Sequence, residues 1–425
     1  MSGATARQAR TSGHPARVLV VADDLTGAND CGVQFAVAGW PSTLRMVLDA
    51  DAPTAPGVLA VSTDGRALPV GEAAALTREA VEAEALSADD HLYLKVDSTL
   101  RGSAAGQVRG ALAARRRTRP DAFVVLCPAY PAMGREVRDG VLTVHGVPVS
   151  ASPAGRDPVT PVRHDHVSDL VPGSVSAPAP ADPVDPEAVA SAWAATGADV
   201  VAVDARDEAD LDRVAAVVVA LGSRVVPVGS AGLAAPLARR WGGDPEVVPP
   251  TVAVRRPLVL VSSHHATARD QVVALVAGRD DTTVVTTDVD DLLGPAADPA
   301  APAGDGPVVL VSPEERSEPG RSAALATALG RRTAAWLGAG GFDGVVLVGG
   351  DGAEATLRAT GAHGVRIRGR LLEGVPHGEV AGGDLDGLPV VTKAGGFGDD
   401  ATLLRMLDTL TSTAPDPSPT PEETR

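Results

Sequence analysis

Lysine is almost absent from this chain. Its 425 residues include two lysines, Lys95 and Lys393, among 37 basic residues, the other 35 being arginine. Arginine is a planar fork, whereas lysine is a compact point charge on a flexible stem. A lysine kept in such a chain points to a place where a fork would not fit. Aromatic residues are equally scarce at 2%, although hydrophobic residues reach 44%. The core must then be aliphatic, chiefly Val, Leu and Ala, which suits buried parallel strands flanked by helices. There are two cysteines, Cys31 and Cys127, both in apolar contexts. That excludes a disulfide framework and fits a reducing cytoplasm. No C-x-x-C or H-E-x-x-H occurs, so nothing supports a structural zinc site. No run of about 18 apolar residues occurs either, so no membrane span is expected. Residues 1–16 lack the apolar stretch of a secretory signal.

Net charge is −17, which disfavours nucleic acid or an anionic membrane as a partner. An anionic small substrate would need a local cluster of cations and backbone N–H groups. The length suits two or three domains. Strand and helix patterns alternate from residue 17, with strands expected at 17–22, 58–62, 91–95 and 122–127. Helices are expected at 27–38, after a Thr26 cap, and at 71–86 and 103–116. Residues 128–185 lose periodicity and read as loops and short hairpins. Alternation resumes at 199–241, and proline-rich 244–256 reads as a linker. A second series follows, with strands at 258–261, 283–286, 308–311, 345–348 and 389–392. The expected fold is α/β, in two domains at 17–243 and 257–412 with mainly parallel sheets. The tails 1–16 and 413–425 read as disordered.

The candidate chemistry lies at strand ends. Asp23 and Asp24 follow the first strand, where open α/β sheets bind ligands. One carboxylate could hold sugar hydroxyls and the other a metal or a reacting proton; a lone acid there would simply favour the helix dipole. Arg66, after the next strand, could clamp a carboxylate bidentately, although Asp64-Gly-Arg66 alone is an ordinary turn. Lys95-Val-Asp-Ser-Thr-Leu-Arg101 is the strongest signal of the first half. Lys95, Asp97, Ser98, Thr99 and Arg101 stand in one turn before a helix, the parts needed to hold a small carboxylate or phosphate. Asp97 could accept a hydroxyl proton. Cys127-Pro-Ala-Tyr-Pro-Ala-Met-Gly-Arg135 is a stiff loop whose Arg135 has no target legible in sequence.

In the second domain, Gly349-Gly350-Asp351-Gly352 bares backbone N–H groups at a helix start, which suits phosphate or ribose. Lys393-Ala-Gly395-Gly396-Phe-Gly398 repeats this with a cation added. Neither is a Walker A or a G-x-G-x-x-G fingerprint. With Ser262-Ser-His264 after a third strand, two such turns favour a nucleotide site.

Together these stretches resemble the four-carbon acid sugar kinase family. The resemblance runs from about residue 17 to 410 and rests on five elements in order. They are Ala22-Asp-Asp-Leu-Thr-Gly-Ala-Asn-Asp30, Lys95-Val-Asp-Ser-Thr-Leu-Arg-Gly102, Pro128-Ala-Tyr-Pro131, Gly349-Gly-Asp351 and Thr392-Lys-Ala-Gly-Gly-Phe-Gly398. The resemblance implies an N-terminal domain that binds a sugar acid through Asp24, Arg66 and the Lys95–Arg101 turn. It implies a C-terminal domain that binds ATP through Ser262, the turn at 349–352 and the turn at Gly395 and Gly396. The implied reaction is phosphorylation of the 4-hydroxyl in an interdomain cleft, with Mg²⁺. Asp351 is the candidate for the metal, and Asp24 or Asp97 for orienting or deprotonating the hydroxyl. A homodimer is compatible with the family. The stretch Thr26–Gln34 looks more like the D-threonate and D-erythronate members than the 3-oxo-tetronate kinases. Two departures stand out: Ser262-Ser-His264 replaces the usual Ser-Gly-Ser, and Gly352 replaces the Thr that usually follows Gly-Gly-Asp. Two rival readings share the layout, a nicotinamide-dependent sugar-acid oxidoreductase and a non-catalytic sugar-acid sensor. The first lacks its glycine fingerprint, and the second has no need of two glycine turns.

Overall fold

The computed structural model describes residues 17–46, 57–157, 159–242, 253–294, 299–314 and 319–412. The expected tails and most of the 244–256 linker lie outside the described residues. The chain divides into two compact units, Met1–Ser42 with Leu48–Val247 and Thr43–Val47 with Val248–Arg425.

The first unit is built on a parallel sheet. Its strand order is Gly57–Ser62, Arg17–Ala22, His91–Lys95, Val225–Gly229, Phe123–Cys127, Val200–Val203, Ser174–Ala177. Arg17–Ala22, His91–Lys95 and Phe123–Cys127 are buried along their whole length. Continuous apolar strands of this kind need both faces covered. Helices Leu25–Val37, Val70–Ala83, Ala104–Arg115, Glu208–Leu221 and Ala231–Trp241 supply the cover. The irregular region contains the expected hairpins, an antiparallel set of Arg135–Arg138, Val141–Val144 and Val147–Pro148.

The second unit orders its strands Thr283–Thr286, Val308–Val311, Pro257–Val261, Gly344–Val348, Pro389–Lys393, Val375–Ala381, Gly364–Leu372. Thr283–Thr286 through Pro389–Lys393 are parallel. Val375–Ala381 is antiparallel to both neighbours. That pair is absent from the sequence reading, as is helix Ala266–Gly278. The unit's helices also include Pro319–Gly338, Gly350–Ala359 and Thr402–Ser412. The core is aliphatic, with Val259, Val346, Leu275 and Leu407 fully buried.

Arginine does structural work inside this fold. Arg115 is 1% exposed and donates to the carbonyls of Ser87, Ala88, Asp90 and Ser223 at 2.6–3.1 Å. A fork with five donors ties several carbonyls at once. Its charge also acts on His91, which stacks on Trp241 with ring centroids 4.4 Å apart. Burial, helped by Arg115, lowers the His91 pKa from 6.5 to about 4. The unfolded chain then binds a proton that the folded chain refuses, so stability falls as pH drops through this window. Between pH 7 and pH 5 the loss should be about 2 kcal/mol. Urea denaturation across that range should show the slope in the native protein and its disappearance in His91→Gln. An unchanged slope in the variant would assign it to other groups.

Candidate active site

In the first unit, Arg17–Ala22 pairs with Gly57–Ser62 on one side and His91–Lys95 on the other. The turn after the first strand therefore stands where strand order reverses, which is where such sheets bind ligands. Asp23, in that turn, is 1% exposed and accepts from Arg66 Nε at 2.9 Å and Nη2 at 2.8 Å. Arg66 Nη1 lies 3.0 Å from Asp24 Oδ2. The bidentate grip expected of Arg66 is thus made on Asp23. Breaking a buried pair of this kind costs roughly 3–5 kcal/mol, so Asp23 acts here as the anchor of Arg66.

Asp24 is the N-cap of helix Leu25–Val37; its Oδ1 accepts from Gly27 N and its Oδ2 from Thr26 Oγ1, each at 2.7 Å. The expected cap, Thr26, lies inside the helix and donates to Asp24 instead. An acid three residues before Gly27 reaches the open N–H that Thr26 cannot. Burial pushes the Asp24 carboxyl up, but Arg66, Lys95 and these hydrogen bonds outweigh it and hold it below the usual carboxylate value. Lys95 ends its strand at 5% exposure. Its Nζ stands over the helix start, 3.1 Å from where a Cβ on Gly27 would lie. Among the described residues its ammonium has no hydrogen-bond acceptor or ion-pair partner in contact.

The turn after Lys95 is tightly braced. Arg101 grips Asp97 with Nε at 3.1 Å and Nη2 at 2.8 Å, and its Nη1 reaches Asp157 at 3.1 Å. Thr99 donates to Asp97 through both N–H and Oγ1. Leu100 sits at φ 55°, a left-handed conformation a branched side chain seldom takes. Its N–H bond to Asp97 O at 2.8 Å holds it there. Burial raises the Asp97 carboxyl, yet Arg101, Arg66 and Thr99 hold it well below the usual range. Ser98 is half-buried beside this cluster. Both oxygens of each acid are engaged, but the Asp24 side chain is 24% exposed against 12% for Asp97, so Asp24 is the more open of the two.

In the second unit three parallel neighbours, Pro257–Val261, Gly344–Val348 and Pro389–Lys393, end at one edge. Ser262 Oγ donates to Val348 O at 3.1 Å. Gly349, at φ 110°, caps helix Gly350–Ala359, and a Cβ there would lie 2.5 Å from Ser262 Oγ. A Cβ on Gly352 would also strike Ser262, and one on Gly395 would strike Ser263. Ser262, Gly349, Gly350, Gly352 and Gly395 are thus brought together. Gly396 lies beside His265, whose Nδ1 accepts from Thr267 N at 3.2 Å to start the next helix. Asp351 is exposed in the first turn of its helix.

Lys393 departs from expectation. It is 1% exposed and its Nζ donates to Ala394 O and Phe397 O, each at 2.8 Å. Burial lowers its pKa to about 8. The ammonium closes its own turn, because a compact cation with three donors fits between converging loop carbonyls. It leaves a ligand at most one proton. Gln271, fully buried, braces the same turn by donating to Phe397 O at 3.0 Å and Asp399 O at 2.8 Å. Sequence reading misses Gln271 and Asp157. Gln271 and Asp157 reach their partners across 126 and 56 residues, and no local pattern signals such contacts.

Residues 18–237 match the model of a sugar-binding N-terminal domain and residues 258–403 that of a nucleotide-binding C-terminal domain. A D-threonate kinase of Bordetella bronchiseptica is 42% identical over 405 residues, covering 91% of this chain and 95% of its own. A D-threonate kinase of Salmonella typhimurium is 30% identical over 424 residues, covering 92% and 97%. A solved structure from Haemophilus influenzae has a TM-score of 0.69 at 21% identity, covering 93% of this chain and 99% of that one, a likeness of fold alone. Matches along both units, with the motif turns at the carboxyl edges of both sheets, show that this chain belongs to the four-carbon acid sugar kinase family.

Proposed function

We propose that the chain is an ATP-dependent kinase that phosphorylates the 4-hydroxyl of a four-carbon sugar acid. D-threonate and D-erythronate are the favoured substrates, with 3-oxo-tetronate as the next member of the class. The observation that carries this reading is the 42% identity to a D-threonate kinase along 91% of the chain. The site chemistry supports it. The first unit offers a carboxylate, Asp24, beside an ammonium, Lys95, that has no acceptor in contact. The second offers helix-start N–H groups in glycine turns that let a phosphate approach the backbone.

Phosphoryl transfer asks for positioning and charge neutralisation more than covalent chemistry. In this reading Asp24 orients the 4-hydroxyl for in-line attack, and its lowered pKa makes it a hydrogen-bond acceptor more than a strong base. The Gly349–Gly352 turn and the backbone at Gly395 and Gly396 cradle the phosphates. Among the described residues no group of three or more His, Cys, Asp or Glu is arranged for a metal. Mg²⁺ fits nonetheless, since it keeps several waters and takes one or two carboxylates with substrate phosphates. Exposed Asp351 would hold it, and the ion would neutralise phosphate charge. Two free, buried cysteines suit a reducing cytoplasm. Among the described residues no helix is long and apolar enough to cross a membrane.

A screen of ATP consumption with Mg²⁺ tests the reading. Four-carbon aldonates should be turned over at least about tenfold faster than neutral tetroses at equal concentration, the scale of one charge-assisted bond. Equal rates with neutral sugars would remove the argument for carboxylate recognition.

A further inference from the structure

The proline-rich loop after Phe123–Cys127 leaves the carboxyl edge of the sugar-binding unit, and its arginine has no role in the reading above. We propose that Arg135 is a further substrate-recognition residue, whose guanidinium takes the carboxylate of the acid substrate. This rests on the kinase reading for the identity of the ligand. The root of the side chain is fixed. Tyr130 N donates to Arg135 O at 2.8 Å, Arg135 N donates to Tyr130 O at 3.0 Å, and Ser230 Oγ ties Ala129 O at 2.8 Å. Arg135 then opens the strand paired with Val141–Val144.

The guanidinium donates from Nη1 to Met133 O. Its Nε is buried without a hydrogen-bond partner. Among the described residues it makes no ion pair. A buried N–H without an acceptor is a rare and costly arrangement that calls for an explanation. Two charges of the site, Asp97 and Arg101, act on Arg135. Burial lowers its pKa, Asp97 opposes that and Arg101 adds to it.

The other cations of the site are engaged or of the wrong shape. Arg66 is gripped by Asp23 and Asp24, and Arg101 by Asp97 and Asp157. Lys95 is a point charge suited to a single oxygen. Arg135 keeps its Nε and Nη2 edge, the planar pair of donors that matches the two oxygens of a carboxylate.

The test is calorimetry with D-threonate and, separately, with threitol, which lacks the carboxylate. Wild-type protein, Arg135→Gln and Arg135→Lys are compared, with melting temperatures to confirm folding. Arg135→Gln should weaken D-threonate binding by about 10- to 100-fold, the effect of losing a charge-assisted pair. Threitol binding and ATP affinity should stay within about twofold of wild type. Arg135→Lys, which keeps the charge without the fork, should recover only part of the loss. D-threonate binding equal to wild type in a folded Arg135→Gln would overturn the proposal while leaving the kinase reading intact. Loss of D-threonate affinity in a protein that turns over no ATP would support it and remove the kinase reading. Absence of aldonate binding by wild type would overturn both.

Discussion

Lys95→Arg is expected to lower kcat/KM for the sugar acid by at least about 100-fold, although the charge is kept. The two cations differ in shape. Lys95 is buried at a strand end, and its Nζ already lies close to Gly27 at the start of the following helix. A guanidinium is wider and less strongly hydrated than an ammonium. To fit, it must displace the Asp24 cap or turn away from the edge. Overpacking of this kind costs about 1–3 kcal/mol in stability, which melting would detect. Lys95→Met is the companion, since it removes the charge with little change in volume. If the ammonium meets charge that develops only during transfer, kcat should fall in both variants with KM little changed. If it only holds the ground-state acid, KM should rise instead. Wild-type kinetics in a folded Lys95→Arg would reduce the rarity of lysine to compositional drift.

The two lysines show how far the sequence could be read. Both stand in hydroxyl- and glycine-rich turns after a strand, and both are nearly fully buried. Their local patterns are alike, yet Lys95 faces a site without an acceptor in contact while Lys393 is closed onto Ala394 O and Phe397 O. The difference lies in where loop carbonyls point, which residue order does not display. Strands such as Arg17–Ala22 and His91–Lys95 were legible at their bounds because doubly covered parallel strands are continuous apolar runs that end in polar turns. Gly364–Leu372 was not, because its glycines and alternating Arg366, Arg368 and Arg370 resemble a loop as much as an edge strand. Arg66 was recognisable as a bidentate cation, but its partner is 43 residues away. Only the fold brings Asp23 into its fork. Residue type thus foretold the chemistry of the edges, and tertiary contact decided which groups stay open to a ligand.

The second large effect concerns glycine in the nucleotide-binding unit. Gly349→Ala should weaken ATP binding by about 10- to 100-fold while leaving sugar-acid binding within about twofold. Gly349 has φ 110° and ψ 135°, a region that side chains rarely enter. Strain at such a position costs about 1–3 kcal/mol. A Cβ would also meet Ser262 Oγ at 2.5 Å and Ser263 N at 3.0 Å, the latter a backbone atom that cannot swing aside. The turn must therefore rotate, and the N–H groups at the start of helix Gly350–Ala359 lose their common aim. Gly396→Val provides the contrast. Its new side chain meets the ring of His265 at 3.0 Å, an exposed group able to move. That variant should fold normally and lose ATP affinity only through blocked backbone approach to phosphate. Calorimetry on ATP and on D-threonate separately, with melting temperatures, distinguishes the cases. Equal loss of both ligands in Gly349→Ala would mean general damage to the fold. Undiminished ATP binding in a folded Gly349→Ala would show that this turn is not the nucleotide seat, because a rotated cradle cannot present the same donors.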